Sequence, residues 1–269
     1  MSEKQGLYLY CLADSECLKE VSGTGIDDKN ELFIKNTNNI AVVLSKVALN
    51  DFIGNEAEER LQDINWIGPK ALRHQDIIAQ IMESSPILPA RFGTIFSTDE
   101  EMDRLFDCHT QTIKEFLSKI RNHQEWSVKG YLDKKKLLKL QAKTEIEKNQ
   151  EMLSQMSPGK RYFQEKKIQK LVEKELEKHI KDLIQMIADR LDAVSSDAAE
   201  LKLLSRQASG EDIDMIFNEA FLVNTSQIDV FHQNIDNLRQ EIQVSGAVLK
   251  LSGPWPPYSF CPNIEINSG

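Results

Sequence analysis

The sequence predicts an α+β protein built from two mixed domains. Its 269 residues suffice for two ordinary domains, each with its own core. Residues 1–122 predict strand, hairpin, helix, strand and helix, whereas residues 123–269 predict strand, long helices, strand, helix and strand. This order is typical of α+β sandwiches of the split βαβ kind. We therefore place the domain boundary at 122/123, with a helical insertion at 133–205 and a tail at 252–269.

The first domain opens with a buried strand at 7–12, which is apolar throughout and rich in aromatic residues. Turn residues 36–39 separate two further apolar runs and predict a hairpin. A mostly helical segment follows at 55–82, and Gly68-Pro69 predicts a break or a second helix start within it.

The segment 87–96 predicts one continuous strand. Leu88, Ala90, Phe92 and Phe96 fall on one face at period two, and Arg91 falls on the other face. Gly93 predicts a bulge or a close backbone approach. Two hydroxyl residues followed by three acids at 97–101 then predict the start of a helix, which runs to about residue 121.

The second domain begins with a strand at 126–132 and continues with a Lys-rich helix at 133–156. Ser157-Pro158-Gly159 ends that helix and starts another, from 160 to about 204. Its apolar residues recur in steps of three, four and seven, which predicts a seam against another element. These are Ile168, Val172, Leu176, Ile180, Leu183, Ile187, Leu191, Val194 and Leu201. Neighbouring Glu and Lys on the polar face, such as Glu177 and Lys181, have spacings that allow ion pairs. A strand at 213–224, a helix at 227–242 and a strand at 244–251 complete the domain.

Charge is distributed unevenly along the chain. The net charge is −9, yet residues 134–182 carry 14 Lys/Arg against 8 Asp/Glu, so that the remainder carries −15. An acidic body argues against general nucleic-acid binding. Two interpretations of the basic helices stay open: contact with an acidic protein surface, or a plain solvated helix pair.

The tail carries the most distinctive stretch, 252–260. Gly253 and three prolines forbid a helix or a central strand beyond Leu251 and predict a stiff, extended strip. Its candidate interaction residues are Pro254, Trp255, Pro256, Pro257, Tyr258 and Phe260. The strip either folds back over its own domain as a clamp or docks onto another protein. We favour the clamp, because exposed aromatic clusters are costly without a covering partner.

Arg91 is the remaining candidate interaction residue. A guanidinium on a strand face shared with Ile87 and Ile95 needs a carboxylate or carbonyl partner. A structural ion pair is the first interpretation, and a grip on a partner's acidic group is the second.

The sequence lacks the patterns on which common catalytic chemistry depends. It has no phosphate-binding loop, no HExxH, no GxSxG and no metal-spaced Cys/His set. Cys108 and His109 adjoin, but neighbouring helical side chains diverge. We predict no enzyme, no catalytic residue, no cofactor, no metal site and no small-molecule substrate, although a site invisible to motifs remains a rival. Apolar runs too short for a bilayer, the absence of a signal peptide and four unpaired cysteines predict a cytoplasmic protein without membrane contact.

The stretch Ser252-Gly253-Pro254-Trp255-Pro256-Pro257-Tyr258-Ser259-Phe260 resembles the C-terminal signature of the gas vesicle GvpF/GvpL family. Three further stretches agree in order: 6–10, 87–96 and 157–167. The last of these is closer to the GvpL branch. The resemblance implies paired ferredoxin-like domains, with the long helices forming a coiled-coil-like hairpin on the second.

The resemblance also implies a function. It predicts a minor gas vesicle component that acts in nucleation or assembly of the shell, with the hydrophobic shell protein and other accessory proteins as partners. The alternative is a scaffolding adaptor that bridges accessory proteins through the basic helices and does not touch the shell.

Overall fold

The computed structural model describes residues 4–243 and 245–264. They form two units, one of residues 4–125 with 254–264 and one of residues 126–253. The tail, which we assigned to the second domain, therefore belongs to the first unit from Pro254 onward. The reason is that Pro256 and Pro257 are buried there and Tyr258 packs beside them, as described below. Residues 265–269 of the predicted tail lie outside the described residues.

The first unit contains an antiparallel sheet with the strand order β2-β3-β1-β4, and β5 also pairs with β1. Its strands are β1 (Gln5–Asp14), β2 (Leu32–Thr37), β3 (Ile40–Ala48), β4 (Ile87–Pro89) and β5 (Ile95–Phe96). β1 lies antiparallel to β3, β4 and β5, and β2 lies antiparallel to β3. The predicted hairpin is confirmed: Asn38 and Asn39 have φ of 51° and 65°, as a two-residue type I′ turn requires.

Three helices accompany this sheet: α1 (Asn55–Gln62), α2 (Ile64–Met82) and α3 (Asp99–Ile120). The helical segment breaks at Asp63 and not at Gly68-Pro69, because the Asp63 side chain accepts a hydrogen bond from Asn65 N and caps α2. Pro69 lies inside α2. The predicted start of α3 is confirmed by a reciprocal cap, in which Glu101 N donates to Thr98 and Ser97 N donates to Glu101.

The continuous strand predicted for 87–96 is wrong. β4 ends at Pro89, a turn follows, and β5 resumes at Ile95. Gly93 has a φ of +83° with open space around it, so it serves a turn and not a close backbone approach. The period-two pattern misled because four apolar residues alternate across a segment in which the chain turns.

The second unit contains a four-stranded sheet with the strand order β7-β8-β6-β9. Its edge strand β7 lies antiparallel to β8. Its strands are β6 (His123–Leu132), β7 (Asp197–Glu200), β8 (Asp214–Asn224) and β9 (Ala247–Trp255). Its helices are α4 (Lys134–Lys148), α5 (Gln150–Ser154), α6 (Pro158–Asp192), α7 (Arg206–Ser209) and α8 (Ile228–Gln243). β9 continues past the predicted end at Leu251, because an edge strand tolerates Pro254.

The predicted helical insertion 133–205 needs correction. α6 ends at Asp192, and residues 197–200 form β7, so Val194 and Leu201 are not part of the helix. Pattern reasoning missed β7 because Asp-Ala-Ala-Glu is poor in strand-forming residues, and its pairing with β8 decides its structure. The second half of α6 belongs to the core: Leu176, Ile180, Leu183, Ile187 and Leu191 are buried among residues of β6, β8 and α8.

The first half of α6 packs instead against α4 and α5. Ala142, Leu153, Ile168 and Val172 form a small separate cluster there. The 35 residues of α6 thus pack against the core of the second unit in one half and against α4 and α5 in the other. The outer side of the helix contacts neither of these clusters. No helix of the described residues is both long enough and apolar enough to cross a membrane.

Candidate binding groove in the first unit

The end of the tail is packed onto the first unit. Pro256 and Pro257 are buried, and residues Tyr258–Phe260 form one 3-10 turn. The turn brings the Tyr258 ring against the hydrophobic cluster that contains Tyr8, Ile77 and Ile78. We use "tail strip" below for residues 253–260. Its second half packs on the first unit and not on the domain to which we assigned the tail, so the clamp interpretation stays a prediction.

Tyr258 makes two polar contacts on this surface. Its hydroxyl donates to the Ala90 carbonyl at 3.4 Å and accepts from Gln75 Nε2 at 3.3 Å. Burial raises the pKa of Tyr258 to about 12, so the hydroxyl keeps its proton at neutral pH.

Ser259 and Glu125 form the next anchor. Ser259 donates from its backbone N at 3.1 Å and from its Oγ at 2.7 Å to the two oxygens of the Glu125 carboxyl. Glu125 is only 5% exposed, and burial raises its pKa even though the two hydrogen bonds favour the ionised form. Since a buried carboxylate needs donors, this pair ties the tail strip to the first unit.

The first half of the tail strip is more open. Pro254 is exposed, and Trp255 remains 48% exposed at the end of β9. Phe260 is half-buried, with the Lys119 ammonium 6.0 Å from its ring centroid. The candidate tail residues thus divide: Pro256, Pro257, Tyr258 and Phe260 pack, whereas Pro254 and Trp255 face solvent.

Arg91 is exposed on the loop between β4 and β5. Among the described residues, no carboxylate lies within ion-pair distance of its guanidinium, so the structural ion pair that we preferred does not form within that part of the chain. The predicted strand face is absent at Arg91 because the chain turns there. The guanidinium contributes to lowering the pKa of the Cys261 thiol, although burial dominates and raises that pKa to about 12.

A buried polar chain holds this loop in place, and sequence reasoning missed it. His74, fully buried, lies with Nε2 3.2 Å from the Ala90 carbonyl and Nδ1 3.1 Å from the Tyr8 hydroxyl. The carbonyl can only accept, so Nε2 carries the proton and Tyr8 donates to Nδ1. Tyr8 in turn accepts from Gly93 N at 2.9 Å. A lone histidine in an apolar helix stripe gave no signal beyond core packing.

The burial of His74 also fixes its charge. Loss of hydration lowers the pKa of His74 to about 4, so the imidazole is neutral at physiological pH. The Ala90 carbonyl accepts from both His74 and Tyr258. The loop that carries Arg91 is therefore fastened from the core on one side and from the tail strip on the other.

Beside this loop lies a groove of about 730 Å³. Its walls come from β1, the 88–95 segment, α3 and the chain after the tail strip. Its apolar lining includes Leu9, Leu88, Phe92, Ile95, Leu105 and Ile113. Arg91 and Asn263 supply polar groups in the same lining. The lining thus mixes apolar side chains with a cation, a combination that can accommodate an apolar segment carrying a carboxylate.

The groove has no convergent acid, base and nucleophile. Cys261 lines it, but burial holds its thiol protonated, and it donates to the Pro257 carbonyl. Within residues 4–243 and 245–264, no group of three or more His, Cys, Asp or Glu side chains is placed to hold a metal ion.

The fold and this surface define the class as a two-unit α+β protein with an internally anchored tail strip and an open groove in the first unit. A family model described as "Gas vesicle synthesis protein GvpL/GvpF" matches residues 6–262. The chain belongs to this gas vesicle GvpL/GvpF family.

Individual relatives agree with this assignment. Gas vesicle protein L1 of Halobacterium salinarum is 20% identical over 268 residues, which cover 96% of this chain and 91% of that protein. Gas vesicle protein F of Microcystis aeruginosa is 25% identical over 171 residues, which cover 62% of this chain and 67% of that protein. The crystal structure of GvpF from Anabaena sp. PCC7120 matches with a TM-score of 0.71 at 19% identity, covering 96% of this chain and 98% of that one. That structural likeness supports the fold alone.

Proposed function

We propose that this protein is a gas vesicle accessory protein that acts in nucleation or assembly of the shell and is located at the gas vesicle. Membership of the GvpL/GvpF family over residues 6–262 is the observation that supports the proposal. Both L and F proteins are among its relatives, so the GvpL branch stays a prediction from residues 157–167. The strand orders β2-β3-β1-β4 and β7-β8-β6-β9 support our interpretation of both sheets as ferredoxin-like.

The groove supplies a binding mode. A shell subunit that faces gas on one side exposes apolar surface before assembly and would aggregate unless it is covered. We place an apolar segment of the shell protein in the groove lined by Leu105 and Ile113, with one of its carboxylates on Arg91. The open guanidinium supports this arrangement, because an exposed arginine without a carboxylate among the described residues is ready for bidentate pairing.

The test is capture of purified shell protein by the full chain. Leu105→Asp places a charge in the apolar wall and Arg91→Glu reverses the cation, so each variant should capture at least tenfold less shell protein. Leu72→Asp is the matched control, because Leu72 is 68% exposed on α2 of the same unit and does not line the groove. Equal capture by all four proteins would sink the groove proposal.

The alternative function is a scaffolding adaptor that bridges accessory proteins without contact with the shell. The observation that favours it is the Lys-rich outer side of α6, which the second unit leaves uncovered. Under this alternative the intact chain captures other accessory proteins but no shell protein. Flotation of vesicles with and without the added chain then measures whether the protein stays on the finished shell.

A further inference from the structure

The outer side of α6 has an unusual composition. Successive residues of an α-helix are rotated by about 100° around its axis. A strip of the α6 surface that spans about 100° therefore contains eight of residues 160–181. Every one of them is Lys, Phe or Leu: Lys160, Phe163, Lys167, Lys170, Leu171, Lys174, Lys178 and Lys181. We call this set the basic face. All eight are exposed, and Phe163 and Leu171 keep 75% and 54% of their surface in water.

The lysines of this face do not form the ion pairs that their spacing allows. Within the described residues, the one carboxylate–cation pair inside α6 joins Arg161 to Glu165, which lie on another side of the helix. Lys170, Lys174 and Lys178 follow one another at i, i+4, where like charges repel. The three lysines therefore repel one another, and no closed ion pair of their own offsets this among the described residues.

Carboxylates border the basic face instead of entering it. Glu173 and Glu177 flank it on one side, and Glu175 and Asp182 flank it on the other, by the same helical geometry. A phosphate-covered nucleic acid or an anionic membrane would meet these carboxylates as well as the lysines. A single helix laid along the face would meet the lysines first. The narrow, bordered face thus favours a slender acidic partner over a broad anionic surface.

We propose that the basic face docks an acidic amphipathic helix of another protein. The partner helix places Glu or Asp at steps of three and four residues opposite the lysines. Its apolar side chains cover Phe163 and Leu171, whose separation of about two helical turns sets the spacing of those anchors. Opposite charges fix the register, and the aromatic and aliphatic anchors supply the apolar contact. This inference goes beyond the proposed function, since it needs neither the groove nor the shell protein.

The probe is a designed, fluorescein-labelled helical peptide with Glu at that spacing and two Leu placed to meet Phe163 and Leu171. A peptide of identical composition in scrambled order carries the same charge without the amphipathic face. Fluorescence anisotropy with the full chain should give at least tenfold tighter binding of the ordered peptide, with an affinity that falls as salt rises. Equal binding of the two peptides overturns the proposal.

Charge reversal locates the site. Binding of the ordered peptide should weaken at least tenfold in the triple variant Lys170→Glu, Lys174→Glu and Lys178→Glu. The control triple Lys29→Glu, Lys46→Glu and Lys136→Glu makes the same change in net charge at exposed lysines elsewhere, and it should bind as the unmodified chain does.

A charge-swapped peptide, with Lys in place of Glu, should then bind the Lys170/Lys174/Lys178 variant and not the unmodified chain. The proposal is overturned if this rescue fails, or if both triples lose binding equally. Tighter binding of duplex DNA or of phosphatidylserine vesicles than of the ordered peptide also overturns it. Phe163→Ala should also weaken binding of the ordered peptide. This loss would distinguish docking with apolar contacts from charge attraction alone.

Discussion

The tail strip and the basic face of α6 share a composition that looks exposed, with aromatic residues beside polar ones. In the tail strip, polar groups of Tyr258 and Ser259 have partners within the first unit. On the basic face, the lysines have no carboxylate partner among the described residues, and Phe163 stays in water. The difference teaches that satisfaction of polar groups, more than composition, separates internal structure from a surface left open for a partner.

Acid should destabilise the surface on which the tail strip is anchored, because His74 bonds the same Ala90 carbonyl as Tyr258. The folded pKa of His74 is about 4 against an ordinary value of 6.5, so the unfolded state binds more protons between these values. The stability that neutral His74 supports is therefore complete above pH 6.5 and is lost as the pH falls toward 4. The shift corresponds to about 3 kcal/mol. Urea titrations from pH 7.5 to 4 measure it.

His74→Gln sharpens this prediction, because the amide can donate to Ala90 and accept from Tyr8 but does not titrate. In the variant, the free energy of unfolding should fall much less between pH 6.5 and 4, even if its value at pH 7.5 is lower. An unchanged pH slope in the variant would show that other groups cause the decline.

Paired tyrosine substitutions compare the tail strip with the part of α6 that carries the basic face. Tyr258→Ala removes a half-buried ring and two hydrogen bonds, and it should lower the free energy of unfolding by about 2 kcal/mol. Tyr162→Ala, in the second turn of α6 next to Phe163 of the basic face, removes a ring that is 58% exposed and should cost less than about 0.5 kcal/mol. Chemical denaturation at pH 7.5 measures both. Similar losses in the two variants would contradict the distinction between the regions.

Removal of one donor tests the anchor at Glu125. Ser259→Ala leaves the buried carboxylate with the backbone donor alone and should destabilise the fold by about 1–2 kcal/mol. Ser154→Ala is the matched control, since that hydroxyl is exposed and bonds only to the Glu151 carbonyl. Denaturation midpoints that shift equally in both variants would show that the Glu125 contact is not special.

The sequence predicts much of the fold because its signals are local. Hairpin asparagines, the cap at Thr98 and the α6 stripe up to Leu191 each depend on neighbours within a few residues, and the structure contains all three. β7 was beyond such reasoning because its sequence is weak and its partner β8 lies about twenty residues away.

The candidate site was less predictable for the same reason. The groove forms where β1, α3 and the tail meet, which no local pattern encodes. His74 joins Tyr8, 66 residues away, and Ala90. The tail motif pointed to anchoring residues but not to the surface on which they anchor, and the division between Trp255 and Tyr258 depends on that surface.

The smallest expected effect is the most diagnostic for the basic face. Lys174→Glu turns two like-charge neighbours at i, i+4, Lys170 and Lys178, into opposite-charge ones, against one new like-charge neighbour, Glu177 at i+3. The free energy of unfolding should therefore rise by a few tenths of a kcal/mol, while the ordered acidic peptide binds more weakly. Lys143→Glu is the control in α4, where it breaks the 3.7 Å pair with Glu147 and should lower stability slightly without affecting the peptide. A substitution that stabilises the chain and impairs binding marks a face kept for a partner at the expense of the fold. Tyr258→Ala, by contrast, should lower stability outright, because the tail strip serves the fold itself.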